Sequence, residues 1–163
     1  MLKHITIEGV RNLAHTQVAL SAGATVLFGA NGSGKTSFLE AIHLLAVGRS
    51  FRTHQSKPVI QHGTTHCRVV GEVHRGGRAT LMGLEKHRDG AVKARIDGEN
   101  VRSLSELALH LPLVLLDTEG LGIVTGPPEG RRRLLDGTLF HVEQGFLSRW
   151  KRYALAVRQR NSG

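Results

Sequence analysis

The segment Gly29-Ala-Asn-Gly-Ser-Gly-Lys-Thr36 restricts the possible folds of this chain more than any other feature. It matches the pattern G-x-x-x-x-G-K-[ST] in full. Glycines let the backbone curl so that successive N–H groups point at one phosphate, while Lys35 brings a point charge and the Thr36 hydroxyl can coordinate Mg²⁺. A helix beginning at Lys35 adds its positive end. The motif predicts a nucleoside triphosphate site formed by Gly29, Ala30, Asn31, Gly32, Ser33, Gly34, Lys35 and Thr36, with Thr36 as the metal ligand.

The flanking sequence has the pattern that a phosphate-binding loop requires. Residues 25–28 are a short apolar run typical of a strand, and it leads directly into Gly29. From Lys35 onward the pattern becomes helical, and Gly48 is a natural stop. The predicted apolar face of this helix consists of Phe38, Ala41, Ile42, Leu45 and Ala46. A strand, a glycine-rich loop and a helix in this order predict an α/β fold of the P-loop NTPase class.

The remaining patterns predict mainly strands. Alternation predicts strands at 4–10, 17–20, 67–75, 78–86 and 92–96, with hairpin turns at residues 76–77 and 97–98. Ser103 and Glu106 form a capping box that opens a short helix, and 113–116 is typical of a buried strand. A final helix carries the stripe Phe146, Trp150, Tyr153 and Val157, which we predict to be core, with a stacking platform for bases as the alternative.

Charge and composition indicate the class of partner. The 163 residues carry a formal net charge of +9, and residues 131–163 contribute +6 of it through eight basic and two acidic side chains. We therefore expect a polyanionic partner such as DNA or RNA, with a solvated helix face as the alternative. No run approaches a membrane span, no apolar leader is present, and one cysteine cannot form an internal disulfide. These features predict a soluble cytoplasmic protein.

Hydrolysis requires a carboxylate on a second strand for Mg²⁺ and the attacking water. The run Leu113-Val-Leu-Leu-Asp117 has the pattern of such a strand, and Glu119 is a nearby candidate base. On the residues alone, a complete small P-loop enzyme such as a nucleotide kinase therefore stays open.

Five segments carry a more specific pattern. The first three are the opening strand Ile5-Thr-Ile-Glu-Gly-Val-Arg-Asn-Leu13, the P-loop followed by Ser-Phe-Leu-Glu-Ala-Ile42, and Gly48-Arg-Ser-Phe-Arg-Thr53. The other two are Gly126-Pro-Pro-Glu-Gly-Arg-Arg-Arg-Leu-Leu-Asp136 and Gln159-Arg-Asn161. These segments resemble the RecF family of DNA-repair ATPases, which groups with the ABC-type heads of the SMC and Rad50 proteins, and the segment from Gly126 to Asp136 is the most specific part of the resemblance.

The resemblance implies an ABC/SMC-type ATPase head. Residues 1–125 would form the N-terminal part of lobe I, with an antiparallel β-subdomain, and 126–163 the start of a helical, Arg-rich lobe II. The chain corresponds to about the first half of a RecF protein. The family has its metal-binding Asp and catalytic Glu further downstream, which argues against a catalytic role for Asp117 and leaves turnover by this chain uncertain. An inactive, truncated DNA-binding module is a further alternative.

The resemblance also implies ligands and partners. ATP and Mg²⁺ would be bound between two heads, with Arg11 and Asn12 near the nucleotide base. DNA would be gripped by the ATP-dependent dimer at gapped or duplex/single-strand junctions, to help recombinase loading and the SOS response, with RecR and RecO as partners. The candidate DNA or phosphate contacts are Arg49, Arg52, Arg131, Arg132 and Arg133.

Overall fold

The computed structural model describes residues 1–116, 128, 132, 135, 136 and 145–160. The chain divides into two compact units, Met1–Leu113 and Val114–Gly163, and each is treated by itself. The predicted lobe boundary between residues 125 and 126 lies outside the described residues. Across the described ranges, no helix combines the length and the hydropathy needed to cross a membrane.

The first unit contains a six-stranded sheet. Its strands are β1 (Leu2–Val10), β2 (Leu13–Ala19), β3 (His66–Arg75), β4 (Arg78–His87), β5 (Val92–Ile96) and β6 (Glu99–Asn100). The order is β2-β1-β3-β4-β5-β6, and every neighbouring pair is antiparallel. The register aligns a buried apolar row across four strands, formed by Ile7, Val69, Leu84 and Ala94. Alternate residues face away from it, as the twofold period of strands requires.

Two α-helices and a short 3₁₀ helix complete the first unit. The helix α1 (Lys35–Val47) packs against β1, β3 and β4, the 3₁₀ turn spans Lys57–Val59, and α2 (Ser105–His110) packs against α1. The fully buried face of α1 contains Ala41, Leu44 and Leu45. Because burying this apolar area is what fixes α1 on the sheet, it also fixes the position of the residues at the helix N-terminus.

Most of the predicted local structure is confirmed. The strands 66–75 and 78–87 pair across Gly76-Gly77, and β5 turns at residues 97–98 into β6. The helix from Lys35 ends at Gly48, whose N–H bonds to the Leu44 carbonyl at 2.8 Å. Of the predicted capping box one half is present: the Ser103 N–H donates to Glu106 Oε1 at 2.8 Å, whereas the N-cap of α2 is Leu104, whose side chain makes no capping hydrogen bond. Hence turn chemistry and helix stops were sufficient to locate these elements.

Two predicted strands are wrong. Residues 25–28 have no strand partner within the described part of the chain, and the side chains of Val26 and Phe28 are 78% and 91% exposed. Residues 113–116 likewise form no strand with any residue that the structure describes, and the side chains of Val114 and Leu116 are exposed rather than buried. A short apolar run shows only that a segment can be buried in a sheet, whereas forming the strand requires a neighbour that supplies the hydrogen bonds.

The second unit contains the predicted final helix, α3 (Phe146–Arg160). The prediction that its aromatic stripe is core is wrong for Trp150 and Tyr153, which are both exposed. The Trp150 indole N–H donates to Asp136 Oδ2 at 3.2 Å. The indole is therefore anchored at its polar edge, while much of the ring remains accessible.

Candidate functional site

The glycine-rich loop and the first turn of α1 form one continuous structure. Lys35 and Thr36 are the first two residues of the helix, and the Phe38 N–H bonds to the Gly34 carbonyl at 2.8 Å. Gly34 has φ 101°, and a Cβ on it would lie 2.7 Å from Leu13 Cδ2. Glycine adopts this positive φ without strain and has no Cβ that would meet Leu13. These two properties explain why the last glycine of the motif is required at position 34.

Lys35 folds back over the loop. Its Nζ donates to the carbonyl oxygens of Gly29 and Ala30, both at 2.8 Å. The first turn of α1 contains no acidic residue, so the charge of the ammonium and the positive helix end add together without an opposing carboxylate in that turn. This arrangement favours binding of an anion, and a phosphate is the anion that backbone amides at a helix N-terminus accommodate well.

Thr36 is exposed on the first turn of α1, and its hydroxyl makes no hydrogen bond to any described residue. A hard cation such as Mg²⁺ takes oxygen ligands and keeps several waters, so one hydroxyl beside substrate phosphates suits it. Within the described ranges, no group of three or more His, Cys, Asp and Glu side chains could hold a metal by itself. The residues therefore fit Mg²⁺ brought in with a nucleotide, and the cation would neutralise phosphate charge there.

Asn12, in the turn between β1 and β2, braces the loop from the side. Its Nδ2 donates to the Gly32 carbonyl at 2.8 Å, and its Oδ1 accepts from the Ser37 hydroxyl at 2.7 Å. One carboxamide thus joins the middle of the loop to the first turn of α1. The sequence prediction placed Asn12 near the nucleotide, and the structure brings it against the phosphate-binding loop.

Arg11 reaches the same region by a different contact. Its Nε and NH2 atoms donate to the two carboxylate oxygens of Glu40 at 2.9 and 2.8 Å. Such a two-pronged pair is stronger and more directional than a lysine contact. The Arg11 side chain is 20% exposed and that of Glu40 is 0% exposed. The guanidinium of Arg11 therefore forms an ion pair with a buried carboxylate.

Glu40 has two further partners. The Ser50 hydroxyl donates to Glu40 Oε1 at 2.5 Å, and Arg52 NH1 lies 3.5 Å from Oε2. Burial alone would raise the pKa of Glu40. Hydrogen bonds from Arg11 and Ser50, with the charges of Arg11 and Arg52, outweigh burial and hold that pKa below its ordinary value. Glu40 is therefore ionised at neutral pH.

The other predicted contacts are spread over the chain. Arg49 is exposed, and its carbonyl accepts a hydrogen bond from His43 Nδ1 at 2.6 Å. Arg52 is half-exposed beside Glu40, and Arg132, in the second unit, is exposed. Arg131, Arg133, Asp117 and Glu119 lie outside the described residues. Of the predicted arginines in the first unit, the structure thus brings Arg11 and Arg52 together on one carboxylate.

Sequence reasoning missed Ser37, Glu40 and Ser50. Ser37 and Glu40 are buried on the face of α1 that also carries Ala41 and Leu44. A charged residue at a helix position expected to be buried was the available signal, because such a residue needs a partner. The sequence identified Arg11 as a candidate nucleotide contact, but it did not indicate that Arg11 pairs with Glu40.

Comparison with known proteins supports the family resemblance. The RecF/RecN/SMC N-terminal domain profile matches residues 1–152. The chain is 47% identical over 162 residues to the DNA replication and repair protein RecF of Azotobacter vinelandii, covering 99% of this chain and 44% of that protein. It is 45% identical over 163 residues to the RecF protein of Pseudomonas syringae pv. tomato, with the same coverage. The chain thus spans less than half the length of these relatives.

Solved structures agree on the fold. The recombination mediator protein RecF with ATP, in the RecFOR pathway, superposes with a TM-score of 0.86 at 25% identity over 99% of this chain and 43% of that one. An SMC ATPase matches with a TM-score of 0.69 at 20% identity over 84% of this chain, which supports the fold alone. These matches confirm a P-loop NTPase fold of the ABC/SMC head type. The chain belongs to the RecF/RecN/SMC N-terminal domain family.

Proposed function

We propose that this chain is the ATP-binding part of a RecF-type DNA replication and repair protein. The observation that carries the proposal is the braced phosphate-binding loop, in which Lys35 and the N-terminus of α1 add positive charge and Asn12 supports Gly32. The relatives named as DNA replication and repair proteins, and the ATP-bound RecF structure, agree with it. Family membership favours this function over a nucleotide kinase that uses Asp117.

ATP would bind with its β-phosphate against the loop amides and its β- and γ-oxygens near Lys35, and the accompanying Mg²⁺ would take the Thr36 hydroxyl. ATP would favour a dimer of two such heads that holds DNA in the cytoplasm, and release would follow slow hydrolysis. In this proposal the dimer binds gapped or junction DNA, helps recombinase loading with RecR- and RecO-type partners and contributes to the SOS response. A ligand changes such an equilibrium only by its differential affinity for the two states.

Lys35→Ala tests the nucleotide site. Hydrogen bonds to charged groups contribute about 1.5–3 kcal/mol, so we expect the variant to weaken binding of Mg²⁺–ATP by about 10- to 100-fold. Isothermal titration calorimetry measures this directly. Lys57→Ala, which removes an exposed lysine from the 3₁₀ turn, is the matched control and should bind like the wild type. Equal affinity of the Lys35→Ala variant and the control would contradict the proposed site.

Binding to DNA is a separate test. Phosphate contacts make affinity fall linearly with salt on a log–log plot, so binding of labelled duplex through Arg131, Arg132 and Arg133 should weaken steadily as salt rises. Lys35→Ala should leave this binding intact in the absence of nucleotide. Absent or salt-insensitive binding would contradict the role of the basic segment. Analytical ultracentrifugation with ATP and duplex DNA then shows whether ATP promotes a dimer, beside a full-length RecF relative.

A further inference from the structure

Glu40 is a carboxylate with no exposed surface in the middle of α1, and the phosphate chemistry described above does not use it. Burying a carboxylate is costly unless it is paired and hydrogen-bonded, and an apolar residue would avoid that cost. Each oxygen of Glu40 is within reach of an arginine, and one also accepts the Ser50 hydroxyl. The charge is thus fully compensated, which raises the question of what the arrangement holds in place.

The first consequence concerns the turn between β1 and β2. Arg11 has φ 54°, a left-handed conformation that a residue with a side chain adopts only at a cost. The fork on Glu40 and a bond from the Arg11 N–H to the Val59 carbonyl at 2.8 Å hold it there. Since Asn12 is the next residue, the conformation of Arg11 determines where the Asn12 carboxamide lies.

The second consequence concerns the loop itself. Asn12 connects to Gly32 and Ser37, while Arg11 connects to Glu40, one helical turn beyond Ser37. Arg11 and Asn12 are therefore fixed to α1 at Glu40 and Ser37, which are three residues apart. Two separate contacts keep the turn from rotating about either one. The Asn12 contact supports the loop at Gly32, and the Arg11 contact fixes the turn that carries Asn12.

We propose that Glu40 is a positioning residue for the nucleotide site: by holding Arg11 it orients Asn12, and Asn12 holds the phosphate-binding loop in its binding conformation. This rests on the proposed function of nucleotide binding, although the loop-holding step does not depend on it. In this arrangement Arg11 is held by Glu40 and acts through Asn12. The proposal predicts a loss of loop order when Glu40 loses its charge, in a protein that remains folded.

Hydrogen–deuterium exchange of Glu40→Gln tests the loop-holding step without any nucleotide. Among residues 29–36 the Ser33 N–H donates to the Ala30 carbonyl at 3.2 Å, and this protected amide should exchange about tenfold faster than in the wild type, as expected for loss of a charge-assisted hydrogen bond. Asn12→Ala should reproduce the effect. The matched control is Glu85→Gln, which removes a carboxylate from the outward-facing side of β4, where it pairs with His87. The control should leave exchange at residues 29–36 unchanged.

Nucleotide affinity supplies the second measurement. The loop binds the β-phosphate, which ATP and ADP share. Glu40→Gln should therefore lower the affinity for ATP and for ADP by the same factor of about ten. A loss confined to ATP would instead assign Glu40 to the γ-phosphate and overturn the proposal. Circular dichroism at the assay temperature must show each variant folded.

The outcomes separate the two levels of inference. Unchanged exchange at residues 29–36 in folded Glu40→Gln overturns the positioning role, even if ATP binds well. Faster exchange in Glu40→Gln, together with a wild type that binds no nucleotide, supports the loop-holding step and contradicts the proposed function. If Glu40→Gln does not fold, Arg11→Lys decides, because it keeps the charge and loses the fork; unchanged exchange at residues 29–36 in that variant overturns the proposal.

Discussion

Gly71→Ala should destabilise the first unit at the point where α1 meets the sheet. Gly71 lies in β3 between Ile5 of β1 and Met82 of β4. An added Cβ would overlap Leu45 Cδ2 of α1, lie 2.8 Å from Leu2 Cδ1, and lie 3.4 Å from the His4 carbonyl. Leu45 is fully buried, so it cannot move away without displacing its own neighbours.

The expected cost follows from two opposing effects. Overpacking a well-packed core costs about 1–3 kcal/mol. Replacing glycine by alanine stabilises by about 0.4–1 kcal/mol through the unfolded chain. Taking the midpoints of these two ranges, we expect Gly71→Ala to lower the free energy of unfolding by about 1.3 kcal/mol. The same strand pair offers a control in Gly83→Ala, whose Cβ would meet only Val70 Cγ2 at 4.0 Å, an ordinary contact.

Urea unfolding followed by circular dichroism measures both variants. Gly83→Ala should be as stable as the wild type or more stable by up to about 1 kcal/mol, because only the effect on the unfolded chain applies. Gly71→Ala should have a lower midpoint at an unchanged slope. If the two variants unfold at the same urea concentration, the close approach of α1 at Gly71 does not constrain the packing, and the reasoning is refuted.

Two further predictions concern buried ionisable groups. Because the folded pKa of Glu40 lies below its unfolded value, its ionisation stabilises the fold above pH 4.5, and that stability is lost as the pH falls further. The difference in the free energy of unfolding between the wild type and Glu40→Gln should therefore shrink on acidification; a constant difference would contradict it. Burial raises the pKa of Cys67 to about 11, and its side chain is 1% exposed. A thiol reagent at pH 8 should label it slowly in the native protein and rapidly in denaturant, and equal rates would contradict its burial.

The phosphate-binding loop shows how far local sequence was sufficient. The glycines, Lys35 and Thr36 form their structure within eight consecutive residues, so spacing and residue type were enough to predict it. The same holds for the hairpin at Gly76-Gly77 and the helix stop at Gly48, because turn and cap chemistry acts over a few residues. The family resemblance rested on such local segments, and the comparisons confirm it.

Pairings between distant residues required the tertiary structure. Arg11 and Glu40 are 29 residues apart, and Glu40 and Ser50 are 10 apart, so no periodicity connects them. For the apolar run at 25–28 the sequence pattern was misleading: it predicted a buried strand, whereas the structure exposes Val26 and Phe28. Local sequence determined which segments curl, turn and cap. Only the tertiary structure decided which side chains pair and which apolar segments are covered, because both depend on neighbours brought together by the fold.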